Sequence, residues 1–265
     1  TGIPPLAEPT WVNAEDSFGD PQYNWDPAFD STFIRVGQGQ NSVKSYSTIR
    51  IGTPHQESFR HVHQRCLELG GRWTTSGSVK PLTKALPHSI SMHNIGRALD
   101  LSTNCGLIVD PNDEENPCSV YLVIADNRDD INSKFTVWAK VLDSGNEDVK
   151  NVARDQGVII NRTFTVDVYD TNWPLVTNKR TVQWTGEAFN LTKIFEDNGW
   201  SRISPIKDYT ERNHYMGTEW WHYEKIDDLV QGATTIGKEI RGYYSLNDAS
   251  INPQTKHPNY NKVKD

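Results

Sequence analysis

The sequence predicts an α+β fold, a small antiparallel sheet flanked by helices and enlarged by a β-rich insertion. Three observations predict it. One strong helix pattern occupies residues 53–71, strict alternation over residues 98–102 marks a strand, and short alternating runs separated by Asn/Asp-rich turns fill residues 107–179. A chain of 265 residues can bury one sizeable core, and that length also permits an appended module.

Residues 1–52 are rich in Pro, Asp, Asn and Gly and read as an extended, loop-dominated arm, pinned to the core by Trp11, Tyr23, Trp25 and Phe29. Thr53-Pro54-His55-Gln56 is a helix start, with Thr as N-cap, Pro at the first helical position and Gln at the third. Gly70-Gly71 is its stop, and Val62, Cys66 and Leu69 share a face. His55, His61 and His63 lack the i, i+4 pairing of a helical metal clip and read as solvent or packing residues. In the strand that follows, Ala98, Asp100 and Ser102 share one face and Leu99 and Leu101 the other, so Asp100 points away from the apolar side. Gly96 stands where a tight turn, or close approach of backbone to a ligand, needs a residue without Cβ. The runs 120–124, 135–141 and 164–169 read as strands of the insertion, residues 187–198 as a second helix ended by Gly199, and the tail after Asn247 as irregular.

Composition narrows the function classes. The net charge is −7 with no Lys/Arg run, which gives no basis for binding nucleic acid or another polyanion. No apolar run approaches the roughly twenty residues of a membrane helix, and the first residues lack a signal-peptide core, as a mature chain would. Cys66, Cys105 and Cys118 cannot all pair within one chain. Cys105 and Cys118 bracket an acidic, proline-bearing segment and could close it in an oxidising compartment, whereas Cys66 reads as a buried apolar residue. Nine Trp and ten Tyr suit aromatic platforms for sugars or peptides, and equally a core short of Met and Leu.

The chemistry concentrates in two places. His93-Asn94-Ile95-Gly96-Arg97-Ala98-Leu99-Asp100 and, far downstream, Glu219-Trp220-Trp221-His222 supply two imidazoles and two carboxylates. A catalytic zinc takes three ligands of these types and leaves a fourth position for water, so one Zn2+ and one spare carboxylate make a hydrolase the leading reading. The odd spacing of Glu219 and His222 would send them to opposite faces of a regular strand. Either a turn or bulge lies at residues 219–221, or one role is misassigned.

Ser91-x-His93-x-x-Gly96-x-Ala98-x-Asp100, followed by Glu219-x-Trp221-His222, resembles the two signatures of the D-alanyl-D-alanine metallopeptidases. That family includes zinc DD-carboxypeptidases, vancomycin-resistance D-Ala-D-Ala dipeptidases and phage or bacterial L-alanyl-D-glutamate endolysins, and it belongs to a broader hedgehog-like superfamily. The stretch Ile194-Phe195-Glu196-Asp197-Asn198-Gly199-Trp200 also resembles the helix end and Gly-Trp preceding the second signature. The resemblance covers residues 53–104 and 184–225. It implies that residues 53–265 are a zinc peptidase domain with its insertion at about 107–179, that His93, Asp100 and His222 hold the zinc, and that Glu219 is the catalytic carboxylate. It also implies a peptidoglycan stem peptide as substrate and an extracytoplasmic, secreted or phage-associated setting.

One departure concerns the arginine that family members carry before the first His to hold a substrate oxygen. The corresponding stretch here is Thr74-Thr75-Ser76-Gly77-Ser78-Val79-Lys80, without arginine. Lys80, Lys84 or Arg72 could stand in, although a lysine lacks the bidentate fork. Ser91 reads as a residue supporting the site rather than a nucleophile, and Trp220 and Trp221 either roof the site or pack the strand. Three alternatives stand beside a DD-carboxypeptidase: an endopeptidase of phage-lysin or virion type, a catalytically silent binding or structural module on the same fold, and a zinc amidase of another fold.

Overall fold

A computed structural model describes residues 11–12, 20–21, 33–36, 43–45, 51–52, 55–77, 91–116, 118–172 and 175–226; the strands before residue 51, residues 73–77, 94–95 and 172 are described by backbone alone. Alternating patterns generate two main sheets. The larger has six strands in the order β11-β12-β6-β5-β3-β4, built from β3 (Phe33–Val36), β4 (Val43–Ser45), β5 (Trp73–Gly77), β6 (Ala98–Leu101), β11 (Trp200–Arg202) and β12 (His222–Lys225). It is antiparallel except for the parallel pairing of β3 with β5. The second has four antiparallel strands in the order β7-β8-β10-β9, namely β7 (Tyr121–Ala125), β8 (Phe135–Lys140), β9 (Ile159–Asn172) and β10 (Leu175–Asn190). A short pair, β1 (Trp11–Val12) and β2 (Asp20–Pro21), stands apart from both. The mixture of helices and small, mainly antiparallel sheets is α+β.

Helix α1 (Gln56–Glu68) begins later than expected: His55 is its N-cap, without a side-chain cap bond, and Gln56 is its first residue rather than its third. Thr53 and Pro54, its expected first residues, lie outside the described residues, and the side chain of Gln56 donates to the Ile51 carbonyl at 3.2 Å. Its stop is the double glycine: Gly71 N–H donates to the Cys66 carbonyl and Gly70 N–H to that of Leu67, a Schellman arrangement. Gly70 adopts φ +81°, and a Cβ there would lie 2.5 Å from the Ser144 carbonyl oxygen, so space and backbone both require glycine. The helix buries Phe59, Val62, His63 and Cys66. Phe59 meets Trp200 at 5.9 Å between ring centroids, and burying an aromatic of this size stabilises by roughly 1.5–3 kcal/mol.

The second predicted helix begins later than its composition suggests. Residues 187–190 belong to β10, because Glu187, Ala188 and Phe189 pair with Asn161, Ile160 and Ile159. Only then does α3 (Leu191–Asp197) start, capped by the Asn190 side chain accepting from Lys193 N–H at 2.8 Å. A further helix, α2 (Glu147–Asp155), whose short run of mixed polarity shows little periodicity, carries an Asn146 cap. The runs 120–124, 135–141 and 164–169 fall on β7, β8 and β9, and the polar first half of β10 pairs with β9. Within the first fifty-two residues, β3 and β4 extend the six-stranded sheet; the side chains expected to pin this arm, and the tail after residue 226, lie outside the description.

The main core lies where the two sheets meet α1 and α3. Helix α3 joins them physically: Thr192 Oγ1 accepts from Val137 N–H on β8 at 2.9 Å and bonds the Tyr223 hydroxyl on β12 at 3.0 Å. Phe195 stacks on Tyr223 at 4.0 Å. A satellite core of Leu122, Phe164, Val166 and Ala188 fills the other face of the four-stranded sheet. Cys105 and Cys118 are disulfide-bonded with Cα atoms 4.9 Å apart, and Cys66 is a buried free thiol. Among the described residues no helix is long and apolar enough to cross a membrane.

Of the three histidines near α1, His61 is exposed beside Glu57, while His55 and His63 are buried. Burial lowers the His63 pKa to about 4, against about 6.5 in an unfolded chain. The unfolded chain therefore takes up a proton first as pH falls, and this group's contribution, full above pH 6.5, declines toward pH 4 by up to about 3 kcal/mol. Urea midpoints measured at pH 7.5, 5.5 and 4.5 are expected to fall more steeply for the wild type than for His63→Leu; parallel profiles would count against a buried neutral imidazole.

Candidate metal centre

The site forms where β12 is laid along β6. His222 pairs with Asp100, Tyr223 with Leu99 and Glu224 with Ala98. Leu101 N–H donates to the Trp221 carbonyl at 3.0 Å and Lys225 N–H to the Arg97 carbonyl at 2.8 Å, closing the pairing at both ends. Arg97 adds a side-chain bond from Nη1 to the Lys225 carbonyl at 3.1 Å. Side chains at directly opposed positions share a face, so Asp100 and His222 meet. The expected alternation of β6 holds, but both of its faces are covered: Leu99 and Leu101 enter the main core, while Ala98 and Asp100 are buried on the other side.

His93 reaches the same place through a short 3-10 turn, Met92–Ile95, followed by Gly96 at φ +66°. Arg97 N–H returns to the Met92 carbonyl at 3.0 Å, so the turn folds His93 back over the strand it precedes, as the Gly96 position predicted. The left-handed conformation at Gly96 is one that a residue with a Cβ adopts only at a cost. The result is a compact buried cluster. His93 Nε2 lies 3.2 Å from Asp100 Oδ2, His222 Nδ1 lies 2.9 Å from Asp100 Oδ1, and the two imidazole centroids are 5.0 Å apart. His93, Asp100 and His222 are exposed by only 3, 5 and 7 %.

These three offer ligand atoms within 4.8 Å of one another and could hold a metal ion. The donor set passes a physical test. Two imidazoles and one carboxylate are donor types that zinc takes; their atoms span up to 4.8 Å, with the two rings on different oxygens of Asp100, and would draw together to the roughly 3.3 Å spacing of a tetrahedral ion. A buried carboxylate between two imidazoles is also costly unless cationic charge lies beside it. Burial pulls the His222 pKa down, but hydrogen bonds and charge from Asp100 and Glu224 outweigh it and raise the value to about 9. The site attracts positive charge.

The odd spacing of Glu219 and His222 resolves as a turn. Glu219 ends a second 3-10 turn, Tyr215–Thr218, with φ 49° and ψ 22°, and its carbonyl accepts from His222 N–H at 3.2 Å. A non-glycine residue held left-handed in this way is strained by about 1–3 kcal/mol and is stable only where its surroundings enforce it. Here the enforcing groups are Trp220, whose Nε1 donates to the Tyr215 hydroxyl at 2.8 Å, and Trp221, whose ring lies 5.6 Å from that of Tyr215. Both tryptophans are at most 2 % exposed and belong to the main core, so of the two roles open to them they take packing. Glu219 itself is half-buried.

The remaining candidates scatter. Ser91 is half-buried just before the His93 turn, and Lys80 and Lys84 lie outside the described residues. Arg72 is exposed and lines a different cavity, of about 620 Å3, whose wall includes Trp184, Glu114 and Lys140 but none of the cluster's three ligands. In that cavity Lys140 Nζ donates to Ser119 Oγ at 3.0 Å and to the Pro111 carbonyl, and burial lowers its pKa to about 8 against the opposing charges of Glu114 and Asp110. One residue of the centre was missed: Glu224, whose Oε2 lies 3.3 Å from His222 Nε2. Its spacing of two from His222 on a strand was the available signal.

No family model matches the chain, and no curated protein or solved structure matches it either.

Proposed function

We propose that the protein is a zinc-dependent peptidase that hydrolyses peptides of bacterial cell-wall stem type, with DD-carboxypeptidase activity as the leading form. The observation that carries this reading is the convergence of His93, Asp100 and His222 in one buried cluster, from positions spread over more than a hundred residues of sequence. When bound there, zinc supplies Lewis acidity, lowering the pKa of a water to about 7 and polarising a carbonyl. His93 and His222 would each give an imidazole nitrogen, that of His222 once the ion displaces its proton, and Asp100 a carboxylate oxygen, a set of the kind that open, catalytic zinc sites use. Glu219, carried on the turn three residues before His222, takes the proton of the attacking water and returns it to the leaving amine. No covalent intermediate is required.

The substrate class rests on the resemblance of the His93–Asp100 and Glu219–His222 segments to the D-alanyl-D-alanine metallopeptidases. An L-Ala-D-Glu or other cell-wall endopeptidase is the second reading, favoured by the lack of an arginine in the stretch 74–80 and by the large four-stranded sheet between the two segments. The Cys105–Cys118 disulfide supports an extracytoplasmic setting, secreted or phage-associated, because such bonds persist in oxidising compartments. Dialysis against a chelator is expected to abolish stem-peptide hydrolysis, and one equivalent of Zn2+ to restore it. Hydrolysis that survives complete metal removal would overturn the proposal.

A further inference from the structure

We propose that Glu224 is a positioning residue, whose carboxylate holds His222 through Nε2 and thereby makes Nδ1 the atom that faces the metal. This rests on the metal-centre reading above and deepens it. An imidazole can present either nitrogen to an ion, and the choice is set by what the other nitrogen bonds. In His222 the two nitrogens face different carboxylates: Nδ1 lies 2.9 Å from Asp100 Oδ1, inside the cluster, and Nε2 lies 3.3 Å from Glu224 Oε2, on its outer side. An ionised carboxylate only accepts hydrogen bonds, so Nε2 must donate to Glu224. In the neutral imidazole that coordination requires, the lone pair is then on Nδ1, aimed at Asp100 and the His93 ring.

The strand builds this contact without any special loop. Positions 222 and 224 point to the same face of β12, and both are held in register against β6, opposite Asp100 and Ala98. Ala98 has no polar atom to compete for the Glu224 carboxylate, and on the other neighbouring strand the partner of Glu224 is the short Ser201. The Glu224 side chain is 21 % exposed, so the pair is more sheltered than a surface ion pair screened by water. Outer partners of this kind fix ring orientation and raise ligand basicity, and their removal costs about 10- to 100-fold in metal affinity.

The two glutamates of the second segment therefore divide the work. Glu224 is engaged with a ligand ring and serves affinity, while Glu219 serves turnover. The test is Zn2+ affinity of the full chain, measured by competition with a chromophoric chelator for wild type, Glu224→Ala, Glu224→Gln and Glu211→Ala, an exposed carboxylate that controls for loss of one charge. Glu224→Ala is expected to bind Zn2+ about 10- to 100-fold more weakly. Glu224→Gln, whose amide oxygen still accepts from Nε2, should lose less, and Glu211→Ala nothing. The visible spectrum of the Co2+ form, which reports ligand geometry, should change in Glu224→Ala and remain that of wild type in Glu211→Ala. Should the alanine variant fail to fold, the glutamine variant carries the comparison. Wild-type Zn2+ affinity and an unaltered Co2+ spectrum in both Glu224 variants would overturn the positioning role while leaving the metal centre intact. A wild-type chain that takes up no Zn2+ would remove the centre and this role together.

Discussion

Glu219→Ala is expected to retain one equivalent of Zn2+ and to hydrolyse stem peptides more slowly by a factor on the order of 10² to 10⁴, the usual contribution of a positioned general base. The reason is the separation of duties around the turn. The candidate ligand cluster is His93, Asp100 and His222 without Glu219, so removal of the Glu219 side chain leaves those donor atoms in place. The turn itself depends on backbone and on buried aromatics. Glu219 contributes its carbonyl to the His222 N–H, which alanine retains, and Trp220 and Trp221 lock the flanking residues into the core. Alanine must still adopt the left-handed φ of 49°, so a modest loss of stability accompanies the change. Metal content by elemental analysis and turnover by chromatography check the two halves separately. Unchanged turnover would remove Glu219 as the base.

Asp100→Ala should act in the opposite way and abolish metal occupancy. Asp100 is 5 % exposed and bonds both imidazoles, through Oδ2 to His93 and Oδ1 to His222. Its removal deletes one of the three candidate ligands and the only carboxylate among them, so affinity should fall by more than the roughly 100-fold that marks the loss of an outer partner. Asp100→Asn, nearly the same in shape, separates charge from packing: it should keep the fold yet also lose most affinity, because an amide is a poor zinc ligand. Stoichiometric, tightly bound Zn2+ in either variant would refute the ligand assignment.

Particular residues show why some of this was legible in the sequence and some was not. Gly70-Gly71 announced the end of α1 because a Schellman cap needs a left-handed residue, a local requirement that composition reveals. Gly96 announced the His93 turn for the same reason. The odd spacing of Glu219 and His222 demanded a break in the strand, and a left-handed turn is what stands there. Residues 187–190 misled because Glu-Ala-Phe-Asn suits a helix as well as a strand; pairing with 159–161, a long-range fact, decides against the helix. Helix α2 carried a readable signal in Asn146 followed by Glu147 and Asp148, but nine residues of mixed polarity between strands gave it too little periodicity to stand out. Glu224 lies beyond the Glu-x-x-His segment, and only the strand that continues through His222, where a spacing of two places the next carboxylate on the same face, brings it to the centre.

The most direct test of the peptidase reading is mass spectrometry of purified peptidoglycan and synthetic stem peptides after incubation with the zinc-loaded protein, with Glu219→Ala as the blank. A new peptide product that the blank lacks is expected, with loss of a terminal D-Ala as the leading outcome and internal cleavage as the mark of the endopeptidase form. Intact substrates, in the presence of a chain that holds its full equivalent of zinc, would contradict it.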